Sequence, residues 1–240
     1  MNTLLHNWDD SSVSAYQQSI RQKIIGYDLI YDMMTNILHN FPTTHKILVV
    51  GAGGGQELLT LGESLPSAHF TAVDTSKVML KLAAKQIDSL PYALNIEWIE
   101  RDLLTLNVKE LFDVATCHLV LHFMKDLDQK KTLLQKIADS LKENGVLFLS
   151  SINADLTSST FKHQLRYWRS SMLQNGISEN HWQRFEQSFS ITTHPIKLER
   201  LIDLLKEVGF TTIIPYFKTH TIDALVAIKG EDVKRKKRIS

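Results

Sequence analysis

A chain of 240 residues with 43% apolar and 22% charged side chains has the makeup of an ordinary globular protein around one sizeable core. Its net charge of +1 conceals a basic run, Lys234 to Arg238, holding five of the 27 Lys and Arg; the rest has 22 against 26 acids, or −4, which excludes a broad footprint for nucleic acid. The single cysteine, Cys117, leaves no internal disulfide and fits a reducing, cytoplasmic compartment, and there is neither a signal-peptide pattern nor an apolar run of membrane-spanning length.

Residues 12–40 carry apolar positions at helical spacing: Ile20, Ile24, Tyr27, Ile30, Tyr31, Met34, Ile37 and Leu38. Gly26 predicts a break between two helices, and Pro42 ends the run. "KILVV" (Lys46–Val50) is apolar without alternation, as in a strand covered on both faces. A helix is expected over Gln56–Ser64, then a strand over His69–Asp74. The next helix starts beside Thr75 and Ser76, both suitable caps. Strands follow at Asn95–Glu100 and Phe112–Leu121, then a helix at Asp128–Leu141 closed by Asn144-Gly145, then a strand at Val146–Ser151.

The alternation of strands and helices predicts an α/β fold, a doubly wound and mostly parallel seven-stranded sheet. After the fifth strand the rhythm breaks. Residues 153–194 are polar and rich in aromatics, and read as two helical pieces around Asn175-Gly176. The rhythm resumes with the helix "IKLERLIDLLKEVGF" and two strands, "TTIIPYF" and "IDALVAIK", which suggest a terminal antiparallel hairpin. The expected organisation is one domain. It has an N-terminal helical cap (1–42), a ligand-binding core (43–152), a lid insert (153–194), a closing helix and hairpin (195–230) and a basic tail (231–240). The bland reading of that tail is a solvated end.

The stretch "ILVVGAGGGQELL" decides what the core could bind. A phosphate-cradling loop ends in Gly-Lys-Ser/Thr, whereas here Gln56-Glu57 follows Gly55. A dinucleotide loop has a third glycine where Gln56 stands, and Glu57 in the first helical turn would repel a pyrophosphate. The remaining pattern is G-x-G-x-G, Gly51, Gly53 and Gly55, which admits a nucleoside with a cationic, phosphate-free tail. S-adenosylmethionine (SAM) is such a ligand; a plain turn is the alternative. Asp74 ends the second strand, 23 residues after Gly51, where an acid meets ribose hydroxyls in nucleoside-binding sheets. It could instead cap the following helix. Asp102 follows the third strand, where its carboxylate and the backbone of Leu103 could face an adenine edge, or it is merely a loop acid. All these positions fall at carboxyl ends of strands, the edge on which open α/β sheets bind ligands.

With these residues in place, the chain resembles the class I SAM-dependent methyltransferases. "ILVVGAGGG" is similar to their first motif, "AVD" to their second and "RDLL" to the adenine-side motif; "LVLHFM" and "LKENGVLFLS" resemble the segments around strands four and five. The resemblance implies SAM as cofactor, with Tyr16, Tyr27, Gly51, Ala52, Gly53, Asp74, Thr75, Asp102, Leu103 and His118 around it. One position departs. The family usually has an acid two residues before the first glycine, which orders the loop and indirectly holds the methionine amine; here it is Val49. In layout, "IRQKIIGYDLIYDMM", "NGISE" and the C-terminal hairpin are similar to the carboxy-SAM synthases of tRNA uridine modification. By that likeness Tyr27 would bind the cofactor carboxylate and His118 would contact the cofactor. Those enzymes hold their extra carboxylate with an arginine where this chain has Leu204, with Arg200 one turn earlier, so synthesis of carboxy-SAM is not expected.

Methyl transfer from a sulfonium depends chiefly on alignment and exclusion of water. A base is needed only when the acceptor is protonated at neutral pH. The expected catalytic residues are His122, with a pKa near neutrality, and Tyr167. Tyr16, Tyr27, Tyr167 and Trp168 are expected to converge above the methyl group as an apolar chamber, with Arg166 reading any charge. His122 could equally be a core histidine, and Tyr167 and Trp168 could simply pack the insert. No metal site is expected. The expected partners are a small-molecule acceptor and a homodimer mate, without membrane or nucleic acid. The rival readings are a tRNA-modifying enzyme of the carboxy-SAM synthase type and a SAM-binding regulator without catalysis.

Overall fold

The computed structural model describes residues 16–41, 44–108 and 111–231. Residues 12–15 of the expected first helix, Pro42 and the basic run at 234–238 lie outside them.

Seven strands form one sheet. In chain order the elements are α1 (Tyr16–Lys23), α2 (Tyr27–Leu38), β1 (Lys46–Val50), α3 (Gln56–Ser64), β2 (His69–Asp74), α4 (Lys77–Ile87), β3 (Asn95–Glu100), β4 (Phe112–His118), α5 (Leu127–Ser140), β5 (Leu141–Ile152), α6 (Ser159–Gln174), α7 (Glu179–Ser188), α8 (Leu198–Glu207), β6 (Phe210–Thr219) and β7 (Ile222–Lys229). The spatial order is β3-β2-β1-β4-β5-β7-β6. The first five strands are parallel, and β7 enters antiparallel between β5 and β6. The order reverses between β1 and β4, where the loops after the two strands diverge and leave a crevice.

Each face of the sheet carries its own apolar layer. On one face Ile47, Val49, Phe70, Val114 and Phe148 meet α2, α3, α4, α6 and α7. On the other, Leu48, Ala115, Cys117, Leu147 and Leu149 meet α5 and α8. Both layers are needed, which is why β1 reads as unbroken apolar sequence instead of alternating. Each fully buried Leu, Ile or Val contributes roughly 1.5–3 kcal/mol by leaving water.

Gly26 separates α1 from α2 with a φ of 73°, a left-handed angle that glycine adopts freely. Two boundaries differ from expectation. β4 stops at His118, because Leu119 takes a φ of 58° and the chain turns into a 3-10 turn at Leu121–Phe123. β5 begins at Leu141, directly after α5, so Asn144-Gly145 lies inside the strand element and does not close the helix. Lys142 to Asn144 form an exposed start to it, with Asn144 at a φ of 61°. The insert after β5 forms two helices, α6 and α7, with Asn175-Gly176 between them. Among the described residues no helix is long and apolar enough to cross a membrane.

Candidate active site

The carboxyl ends of β1 to β4 open into a cleft of about 250 Å³. The glycine loop forms one wall. Gly51 and Ala52 both donate their N–H groups to the Val73 carbonyl, at 2.8 and 3.1 Å, which ties the loop to β2. A Cβ on Gly51 would lie 2.3 Å from Val120 Cγ2, so only a bare backbone lets the loop approach the segment after β4. At Gly55 the equivalent Cβ would stand 2.9 Å from Ala83 Cβ, so that glycine lets α3 close on α4.

Asp74 lines the cleft and organises its floor. Its Oδ2 accepts from the Gly53 N–H and its Oδ1 from the Ser76 N–H, both at 2.8 Å. The cap of α4 is Ser76, whose hydroxyl accepts from the Met79 N–H at 3.2 Å. The carboxylate therefore holds the glycine loop, and helix capping falls to its neighbour. Thr75 lies beside it on the cleft, exposed. Across the cleft Asp102 accepts from the Leu104 N–H at 2.9 Å and caps the short turn Leu103–Thr105, which places Leu103 on the wall.

His118 closes the inner end. Its Nδ1 lies 3.0 Å from Ser150 Oγ and its Nε2 3.3 Å from Met34 Sδ, and its ring meets Tyr31 edge-on at 5.1 Å. Burial pushes the imidazole pKa down to about 3, so it is neutral at physiological pH. The wall after β4 depends on a buried lysine. Lys130 is 1% exposed and donates to the carbonyls of Leu121 at 2.8 Å and Met124 at 2.6 Å. Burial lowers its pKa to about 8, partly opposed by Asp126. Lys130→Met would leave the Met124 carbonyl without its donor, at roughly 1–3 kcal/mol, while the Leu121 carbonyl would keep only the Met124 N–H at 3.2 Å. We expect a loss of about 1–3 kcal/mol in denaturant titrations, together with weaker cofactor binding, because Val120, Phe123 and Met124 line the cleft from this segment.

The structure thus brings Tyr16, Gly51, Gly53, Asp74, Thr75, Asp102, Leu103 and His118 together on one cleft. Four other expected site residues do not line it. Ala52 is 1% exposed with its methyl group in the core, and only its backbone serves the loop. Tyr27 is 5% exposed; its hydroxyl pairs with that of Tyr31 at 3.2 Å. His122 is turned inward by the 3-10 turn, where its Nδ1 accepts from the Ile152 N–H at 3.3 Å and its ring packs on Phe123. Tyr167 is 62% exposed, because α6 buries the stripe Phe161, Trp168 and Met172 and turns its next residue to solvent. Trp168 is also no part of a chamber. It donates to the Lys23 carbonyl at 2.7 Å and stacks on His220 at 5.5 Å.

Met79, Arg101, Val120, Phe123, Met124 and Leu133 also line the cleft and escaped the sequence reading as site residues. Apart from Arg101, which follows β3 and is exposed, these are apolar side chains that follow strand ends or sit on helices, where pattern alone reads them as core. Glu57, whose sequence position suggests only an obstacle to pyrophosphate, is 4% exposed in the first turn of α3, directly after the loop. Among the described residues no group of three His, Cys, Asp or Glu is placed to hold a metal ion.

Residues 48–147, the segment that carries this cleft, match a family model described as a methyltransferase domain. Residues 48–147 therefore carry a methyltransferase domain. The chain is 26% identical over 232 residues to a carboxy-S-adenosyl-L-methionine synthase of Helicobacter hepaticus, covering 92% of this chain and 94% of that one. It is 29% identical over 208 residues to the mitochondrial ubiquinone biosynthesis O-methyltransferase of Schizosaccharomyces pombe, covering 78% and 73%. In fold it is similar to magnesium protoporphyrin IX methyltransferase of Synechocystis PCC 6803 with bound SAH, with a TM-score of 0.68, 15% identity and coverage of 93% and 96%. The plantazolicin methyltransferase BpumL, solved in complex with SAH, gives a TM-score of 0.67 at 16% identity, covering 95% and 94%. SAM is the cofactor of this family.

Proposed function

We propose that this methyltransferase binds SAM in the cleft at the ends of β1–β4 and transfers its methyl group to a small-molecule acceptor. One observation carries the reading: the glycine loop, Asp74 and Asp102 face a single cleft beside the topological reversal of the sheet. The residues fit the cofactor chemically. Asp74 would accept from the ribose hydroxyls, and Asp102 with the backbone of Leu103 would face the adenine. Gly51 and Gly53 would lie against the methionine portion, with Tyr16, Thr75 and His118 completing the contacts. When bound, the cofactor supplies a methyl group on sulfonium with a neutral thioether as leaving group.

The chain's own part is positioning. Val120, Phe123, Met124 and Leu133 keep water from one side of the cleft, which favours displacement by the acceptor over hydrolysis. His118 is neutral and has both ring nitrogens engaged, so its role is to shape the pocket, and proton removal falls to the acceptor's own ionisation or to solvent. The magnesium protoporphyrin IX and plantazolicin methyltransferases named above support a small-molecule acceptor.

Synthesis of carboxy-SAM is disfavoured. Leu204 is 1% exposed within the core, and Arg200 pairs at the surface with Glu207 at 2.8 Å, so neither offers a cation to a second carboxylate. A homodimer is part of the proposal, supported by the exposed apolar side chains of Ile25, Leu29 and Ile214 on the α2–β6 side. A cytoplasmic location agrees with a lone, buried Cys117. Calorimetric titration with SAH tests the core of the reading. Binding in the micromolar range is expected, and no heat at any pH would reject the site.

A further inference from the structure

The β1 position where the family carries an acid holds Val49, fully buried in the apolar layer on the α2–α3 face. On that same face, one residue into α3, stands a carboxyl with no charged partner. Glu57 is 4% exposed and makes no ion pair among the described residues. It accepts a hydrogen bond from its own backbone N–H. The groups that feel it come from every element around it: Tyr16 on α1, Tyr27 and Tyr31 on α2, Asp74 on β2, Cys117 on β4 and Tyr216 on β6. None of these is a cation. The guanidinium of Arg21 lies 5.4 Å over the Tyr27 ring and is committed to Asp28 and Gln56. Two of the groups, Tyr16 and Asp74, line the cleft itself.

A buried carboxyl without a counter-ion is costly, and folds retain one chiefly where a ligand or reaction uses it. We propose that Glu57 is the carboxyl that answers the α-ammonium of the cofactor, serving from α3 the purpose for which β1 has only Val49, and that it releases its proton as the cofactor binds. The inference rests on the SAM reading above. In the free protein, burial first and then the charge of Asp74 push the Glu57 pKa up to about 8. At pH 7 about nine molecules in ten therefore carry the proton. An ammonium arriving beside it favours the anion, so the proton passes to solvent, and no other bond changes.

The sign of the pH dependence follows. Binding selects the ionised carboxyl, so affinity rises with pH by up to about tenfold per unit below pH 8 and levels off above it. Stability of the free protein runs the opposite way. A folded pKa raised from 4.5 to about 8 means stability is intact below the lower value and declines as pH rises through the higher.

The test is calorimetry of SAH binding at pH 7 in two buffers of different ionisation enthalpy, because SAH retains the ammonium and is chemically inert. About one proton released per ligand is expected for the native protein, and none for Glu57→Gln, whose amide keeps the shape. Denaturation of the free proteins adds a second readout: the native stability should fall between pH 5 and 8, while Glu57→Gln stays flat. Binding without proton release, or equal release by Glu57→Gln, would overturn the role of Glu57 and leave the SAM site standing. Absence of binding by the native protein would reject the site itself.

Discussion

Asp74→Ala is expected to reduce SAH affinity by a factor on the order of 100 or more, about 3 kcal/mol. Two effects combine. The carboxylate accepts from the Gly53 and Ser76 N–H groups, and hydrogen bonds to a charged group contribute roughly 1.5–3 kcal/mol each. Its loss therefore releases the loop that cradles the ligand, besides removing the acceptor for the ribose hydroxyls. Stability should fall as well, since two amide groups lose their partner. Asp74→Asn separates the parts: the amide oxygen can still serve one N–H, while its NH₂ group faces the other. We expect this variant to retain more stability than the alanine form yet bind the ligand nearly as poorly. Affinity within threefold of native for Asp74→Ala, with intact folding, would show that the loop holds its shape without the carboxylate and that ribose is gripped elsewhere.

Trp168→Ala is expected to cost about 3–5 kcal/mol of stability, the range for deleting a large buried aromatic side chain. The indole joins three pieces of the fold. It stacks on His220 of the β6–β7 turn, meets Phe185 of α7 edge-on at 4.8 Å and donates to the Lys23 carbonyl at the end of α1. Removing it should loosen the attachment of α6 to the sheet while leaving the cleft between β1 and β4 intact. SAH affinity measured below the new melting temperature should therefore stay near native. Tyr167→Ala, one position earlier and exposed, should change neither quantity. A Trp168→Ala protein of native stability with lost turnover would restore the chamber that the sequence suggested and contradict the packing.

The cleft at the carboxyl ends of the strands was legible because its signals are local. The backbone angles at Gly51 and Gly53, and the acids that end β2 and follow β3, sit at fixed offsets from strand ends. Strand ends are in turn readable as apolar runs stopped by a polar residue. Asp74, Asp102 and the glycines therefore fell where expected, on one sheet edge. The packing of the insert was not legible. Tyr167 and Trp168 are neighbours in a helix, so one must face roughly 100° away from the other. Composition says nothing about which one the sheet buries. His122 was misread for a related reason: the strand was expected to run through Leu121, whereas the chain leaves the sheet at Leu119 and the following turn points the ring inward.

Sequence alone determined the strand and helix alternation, the parallel character of the sheet and the chemistry of the ligand, because each depends on periodicity and spacing along a few neighbouring residues. Tertiary structure alone decided what Glu57 and Lys130 do. In the sequence one is an ordinary first-turn acid and the other an ordinary helix lysine. Their meaning comes from burial: Lys130 finds the two carbonyls of Leu121 and Met124 across a turn, and Glu57, buried in the first turn of α3, forms no ion pair among the described residues. Desolvation and long-range hydrogen bonding arise only when segments distant in the chain close around a group, so no local pattern can announce them.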